Sequence, residues 1–337
     1  MTRARKTWIL ALPLPLLAGC SGIQTSLDPA GDQAASILTV WNAMLIVCGI
    51  MYALVLAFLA LAIWRKRGDI GLAPATGHTA AEPLLERGLL GWTVLVVAGL
   101  LLLISISFLV DRSLAQAGPK PLDIKVTANQ WWWSIEYQDP DPSQTIRTAN
   151  ELHLPLGRAA HIELHSNDVI HSFWVPNLAG KEDLIPGRVN KLVLTPRRTG
   201  RFRGQCAEFC GLQHAHMALD ITVEQPSQFD AWRQASLQPA PPPTGAVEAQ
   251  GQQVFLSKAC VMCHAIAGTT AAAVTGPNLT HVASRMTIAA GTRPTTQQNI
   301  GLWIADPTAI KPGTTMPKVP LSDDELAAVT AYLASLK

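Results

Sequence analysis

Gln205-Cys206-Ala207-Glu208-Phe209-Cys210-Gly211-Leu212-Gln213-His214-Ala215-His216-Met217 brings two cysteines, a histidine and a methionine into one short run. Cys206, Cys210 and His214 recur at intervals of four, and Met217 follows three residues later. Two thiolates, an imidazole and a thioether form a soft donor set, which suits copper. His171, in His171-Ser172-Phe173-Trp174-Val175-Pro176, is available as a second imidazole from another loop. Two other readings stay open: zinc accepts two cysteines and two histidines as a closed tetrahedron, and Cys206 with Cys210 can form a disulfide. The additional methionine and the strand-rich surroundings favour copper.

Those surroundings extend over residues 111–237. Short runs of alternating apolar residues at 122–127, 131–137, 161–165, 189–195 and 218–223 predict strands; in the last, Leu219, Ile221 and Val223 share one face. Gln138-Asp139-Pro140-Asp141-Pro142 and similar clusters punctuate the gaps, which suggests a β-sandwich or barrel. Gln238-Pro239-Ala240-Pro241-Pro242-Pro243-Thr244-Gly245 reads as a stiff, extended linker. Beyond it, 246–337 is expected to be an all-α unit. Residues 246–258 suit a helix, and Ser322-Asp323-Asp324-Glu325 is a capping box opening another, with Leu326, Val329, Tyr332 and Leu333 at helical spacing.

Upstream of the strands the chain changes character. Residues 37–64 and 88–110 carry no charge at all, and each run exceeds the roughly 20 residues a helix needs to cross a bilayer. Arg65-Lys66-Arg67 and Arg87 bracket the short connection, which places it on the cytoplasmic side and both flanking portions outside. The N-terminus agrees: Arg3, Arg5 and Lys6 precede an apolar stretch, and Leu17-Ala18-Gly19-Cys20 resembles a bacterial lipobox. Residues 1–20 are thus read as a signal ending at a lipidated Cys20. The composition fits a membrane protein, with 15% charged and 48% hydrophobic residues. A formal net charge of +2 argues against a general nucleic-acid binder.

A second chemical motif lies in the helical unit. Cys260-Val261-Met262-Cys263-His264 lets two thiols add to the vinyl groups of one haem, with the adjacent histidine under the iron. A redox or zinc CxxC is the competing reading. Met or His is chemically suited to the sixth position. Residues 245–337, with Gly251 and Phe255 before the motif and Gly276-Pro277 after it, resemble class I c-type cytochromes. That resemblance implies Met316, in Pro312-Gly313-Thr314-Thr315-Met316-Pro317, as the distal ligand, and the Pro277 carbonyl as acceptor from the His264 ring. Met286 is the second choice and more simply a core filler; Met262 lies on the wrong side of the iron.

Residues 37–225 resemble subunit II of cytochrome c oxidase, including its dinuclear copper domain. The resemblance implies a cupredoxin-like β-barrel in which Cys206 and Cys210 bridge two coppers. His171 and His214 would be terminal ligands, and Met217 and the Glu208 backbone carbonyl weak axial ones. The Glu208 carboxylate would face magnesium at the junction with the catalytic subunit; His216 has no family role. Trp131, in Trp131-Trp132-Trp133, would be the exposed aromatic where electrons enter, while one or more of these tryptophans packs in the core. Glu136, Asp168 and Asp183 match acidic positions that help to dock a cytochrome c. One departure concerns proton entry: Leu89, three residues before Trp92-Thr93, stands where the family often has a glutamate, and Glu86 lies one turn earlier.

The expected whole is a membrane hairpin carrying two extracytoplasmic redox units. The resemblance implies an electron-transfer subunit of a haem–copper oxygen reductase, with no catalytic residue of its own. Electrons would pass from an external cytochrome or other donor through haem c and copper to a partner subunit that reduces oxygen. The haem unit holds 6 basic and 5 acidic residues, so no strong field selects the donor. A subunit of a nitric-oxide-reducing relative, a tethered copper carrier or redox sensor, and a quinol oxidase subunit are the competing readings; the last lacks copper ligands.

Overall fold

The computed structural model describes residues 21–66, 82–114 and 120–337. The signal segment with Cys20 and most of the basic connection, Arg67 included, lie outside the described residues. Helices α1 (Asp32–Lys66) and α2 (Glu82–Leu114) reach past both uncharged runs. At 1.5 Å per residue each measures about 50 Å, more than the hydrocarbon thickness of a bilayer. They pack on one another, with Phe58 and Trp92 edge to face at 6.1 Å. Their other large side chains, such as Leu84, Ile104 and Leu109, stand exposed, as lipid-facing helices require.

Two five-stranded sheets follow. One has the order β3-β2-β1-β5-β8, from β1 (Leu122–Asn129), β2 (Trp132–Tyr137), β3 (Ile146–Ala149), β5 (Ala160–Ser166) and β8 (Asn190–Leu194). The other has the order β4-β10-β9-β6-β7, from β4 (Glu151–Pro155), β6 (His171–Trp174), β7 (Glu182–Leu184), β9 (Gly200–Cys206) and β10 (Ala218–Glu224). Every second residue of β1 is buried, as are Leu219, Ile221 and Val223 of β10, so the two inner faces share one core. Trp133, Phe173, Leu152 and Ile162 are fully buried there.

The segment before α1 ties the hairpin to this sandwich. Asn177 Nδ2 donates to the carbonyls of Gly22 and Asp28, each at 2.9 Å, and Arg198 grips Asp28 with two bonds of 2.9 and 3.0 Å. Helix α3 (Pro226–Ser236), not anticipated from the sequence, seals the far end by packing Phe229 and Trp232 against Tyr137.

The His153 ring stacks on Trp232 at 4.2 Å, with Nδ1 2.6 Å from Glu224 and Nε2 3.7 Å from Glu151. Burial opposes its charge, but the bonds and charges of the two glutamates outweigh this and raise its pKa to about 9. Tyr137 bonds only its backbone, and Arg285 faces Glu151 from the C-terminal unit. A histidine with a raised folded-state pKa stabilises fully below its unfolded value of about 6.5 and loses that contribution as pH climbs through about 9. The free energy of unfolding in urea should therefore fall between pH 6.5 and 9, by an amount on the order of 3 kcal/mol. His153→Gln should flatten that slope; an unchanged slope would place the protonation elsewhere.

The C-terminal unit is helical: α4 (Ala246–Ser257), α5 (Gln297–Ala305), α6 (Pro307–Ile310) and α7 (Asp323–Ser335). A two-residue hairpin, β11 (Thr287–Ile288) with β12 (Arg293–Pro294), is its one departure from all-α. The predicted capping box is present, Ser322 Oγ accepting from Glu325 N and Glu325 accepting from Ser322 N. Val329, Tyr332 and Leu333 face the core. Helices α4 and α7 cross at Gly251, where an added Cβ would lie 2.0 Å from the Ala328 carbonyl oxygen, so only glycine permits this approach.

Candidate metal centre and haem crevice

The copper-type donors gather at one end of the sandwich because neighbouring strands end there. His171 opens β6, Cys206 closes β9, and Met217 immediately precedes β10. Phe173 of β6 pairs with Cys206, and Gln205 pairs with Ala218, so the register sets the donors side by side. The sulfurs of Cys206 and Cys210 lie 3.8 Å apart and both cysteines are free, which removes the disulfide reading. His171 Nδ1 lies 3.8 Å from the Cys206 sulfur, and His214 Nδ1 3.6 Å from the Cys210 sulfur. Met217 Sδ is 3.9 Å from Cys210, and the Glu208 carbonyl oxygen 3.2 Å from Cys206.

The donors thus form a row with one histidine at each end and two sulfurs between. A single zinc tetrahedron would draw both histidines to both sulfurs; the row suits two metals sharing the sulfurs. The close contact with Cys210, with those to His171 and the backbone, lowers the Cys206 thiol pKa despite its burial. The neighbouring thiolate and burial push Cys210 upward.

Asp168, expected from the sequence at a docking rim, also supports this centre. Its carboxylate accepts from His171 Nε2 at 2.7 Å and from Gln130 N at 2.6 Å, which turns Nδ1 toward the sulfurs. Glu136 is engaged by Arg147 at 2.7 Å. The Glu208 carboxylate pairs with Lys181 at 2.5 Å, so magnesium would have to displace that lysine. His216 is exposed and bonds Gln213 at 2.8 Å.

Cys260 and Cys263 sit on the turn after α4, where His264 N donates to the Cys260 carbonyl at 3.0 Å. They line a crevice together with His264, Met316, Trp303 and Lys311. His264 Nδ1 bonds the Pro277 carbonyl at 2.8 Å, which leaves Nε2 for an axial ligand. Burial lowers its pKa and keeps the ring neutral. Met286 is 40% exposed and is not among the crevice residues, and Met262 points to solvent. Apolar walls, paired thiols, an oriented imidazole and a thioether together fit a covalent haem.

The crevice does not belong to the helical unit alone. Trp131 and Trp132 of the sandwich line it as well. Trp131 is only 7% exposed, contrary to the exposed aromatic the sequence suggested, because Lys311 and Gly313 of the helical unit lie over it. On its other side Trp131 Nε1 donates to the Cys210 carbonyl at 2.9 Å, and Gln130 Nε2 reaches the same oxygen at 2.7 Å. Trp133 is the core residue, edge to face with Phe173.

Two one-electron sites so close together, with nothing between them that makes or breaks substrate bonds, define a membrane-anchored electron-transfer protein. Residues 122–225 match the family described as cytochrome C oxidase subunit II, periplasmic domain, and residues 248–337 match the family described as cytochrome c. The chain is 35% identical to cytochrome c oxidase subunit 2 of Alkalihalophilus pseudofirmus, covering 98% of this chain and 99% of that protein. It is 32% identical to cytochrome c oxidase subunit 2 of Bacillus subtilis, covering 98% and 96%. A crystal structure of the periplasmic domain of subunit II of cytochrome oxidase (CoxB) of Bradyrhizobium japonicum is 32% identical, covers 36% of this chain and 96% of that one, and has a TM-score of 0.33. The chain belongs to the cytochrome c oxidase subunit 2 family.

It is therefore subunit II of a haem–copper oxidase with a cytochrome c domain, and it transfers electrons within that complex. Its cofactors are the dinuclear copper centre and one haem c, and its two domains sit outside the membrane that anchors it. It associates with the other subunits of the oxidase.

Proposed function

We propose that electrons leave an external donor, a soluble or membrane cytochrome c, at the haem domain and reach the copper centre by way of Trp131. A partner subunit then spends them on oxygen. When bound, haem iron and paired copper each cycle by one electron. Cys206, Cys210, His171 and His214 would hold the copper, with Met217 and the Glu208 carbonyl as weaker donors beside them. The fold already sets these side chains side by side, so holding the metal in either redox state would ask little movement of them. Cys260 and Cys263 would attach the haem, and His264 and Met316 would hold its iron. The observation that carries this reading is Trp131, which lines the haem crevice and bonds the Cys210 carbonyl.

Metal and haem analysis of the purified full chain tests it, with two coppers and one haem per chain expected. One copper with zinc, or no covalent haem, would overturn the assignment. Met316→Ala should turn the haem spectrum high-spin or bring in a new ligand. An unchanged spectrum would mean that Met316 is not the distal ligand.

A further inference from the structure

The proline-rich linker suggests a haem domain swinging on a tether, where linker length sets the local concentration. The contacts between the domains describe something else. Lys311 is 2% exposed, and its Nζ donates to the Trp131 carbonyl at 2.7 Å across the boundary and to Ala289 at 3.2 Å within its own domain. Arg285 is 8% exposed; its Nη2 donates to Asn278 at 2.5 Å while Nε faces Glu151 of the sandwich at 3.5 Å. Gln213 donates to the Pro312 carbonyl at 2.7 Å, Ala218 N to the Ala290 carbonyl at 3.1 Å, and the Thr287 hydroxyl bonds Asp220. Gly313, at φ +83°, lets its loop lie flat against Trp131; a Cβ there would meet the ring at 3.5 Å and Leu212 at 3.0 Å.

Lys311 gives one bond to the opposite domain and Arg285 meets the Glu151 charge there, and buried charges parted from such partners are costly. The linker is not free either. Ala240 N donates to the Ala267 carbonyl at 3.0 Å, and the His281 ring nitrogens lie 3.1 Å from the Gln238 and Lys337 carbonyls.

We infer that Lys311 and Arg285 fasten the haem domain onto the copper domain as a fixed plug, which closes the Trp131 face to any soluble donor. The closure rests on Trp131 being the entry to copper; the fastening does not. Donors must then deliver to the haem domain, whose attachment loop remains open at Met262.

The test is a protease site placed between Pro241 and Thr244 of the full-length protein in detergent. After complete cleavage, the haem fragment should co-elute with the copper-bearing fragment in gel filtration at micromolar concentration. Lys311→Met with Glu151→Gln should weaken that association about tenfold or more, with haem and copper bands confirming that both domains are folded. Should the double variant fail to fold, Glu151→Gln alone should still weaken association measurably. Separation of the cut wild-type fragments would overturn the plug, and association unchanged in the variants would overturn the role of the two cations. Failure of the electron path instead would leave the fragments together while Trp131 substitutions left transfer from haem to copper unchanged.

Discussion

Cys210→Ser should abolish the near-infrared absorption of the copper centre while the haem c bands keep their full height. The Cys210 sulfur is the hub of the donor row, within 3.6 to 3.9 Å of His214, Met217 and the Cys206 sulfur. A serine hydroxyl is a harder donor than a thiolate and far less acidic, so it cannot share charge between two soft metals. The haem attaches through Cys260 and Cys263 in a domain with its own core, which the substitution does not touch. Retention of the near-infrared band would mean that Cys210 does not bridge copper. Loss of both spectra would mean a folding defect, which Cys210→Ala, also lacking only the copper band on this account, would separate.

Trp131→Leu should slow transfer from haem to copper more than any other single change outside the ligands. Leucine removes both the ring that lines the crevice and the Nε1–H bond to the Cys210 carbonyl. Trp131→Phe keeps an aromatic ring and loses only that bond, so its rate should fall between leucine and wild type. Copper and haem spectra should remain those of the native protein in both variants, because no ligand is altered. Equal rates in all three proteins would remove Trp131 from the path.

The chemistry of this chain was largely legible in the sequence, because metal and haem attachment demand particular side chains at short spacing. The copper loop, the C-x-x-C-H motif, the uncharged helices and the Ser322 capping box all follow from local rules. Strands β3, β4, β6, β7 and β9 did not show. Most are three to five residues long, and β9 places only Phe202 and Cys206 as apolar residues inward, with arginine, glycine and glutamine around them. Helix α3 was hidden by its polar composition, which only the packing of Phe229 and Trp232 overcomes. Nothing local to Lys311 and Arg285 marks them, since their burial depends on a domain contact between residues more than a hundred positions apart. The same contact buries Trp131. Asp168 was legible as an acid, while its bond to His171 required the fold to bring the turn before β6 against Gln130.

The central claim is that haem and copper work in series inside one polypeptide. Rapid injection of one electron per molecule into the oxidised full-length protein, followed at the haem and near-infrared copper bands together, addresses it most directly. Haem re-oxidation should match copper reduction in a first-order step whose rate is independent of protein concentration. A reduced haem that persists beside oxidised copper of higher potential, or a rate that rises with concentration, would contradict it.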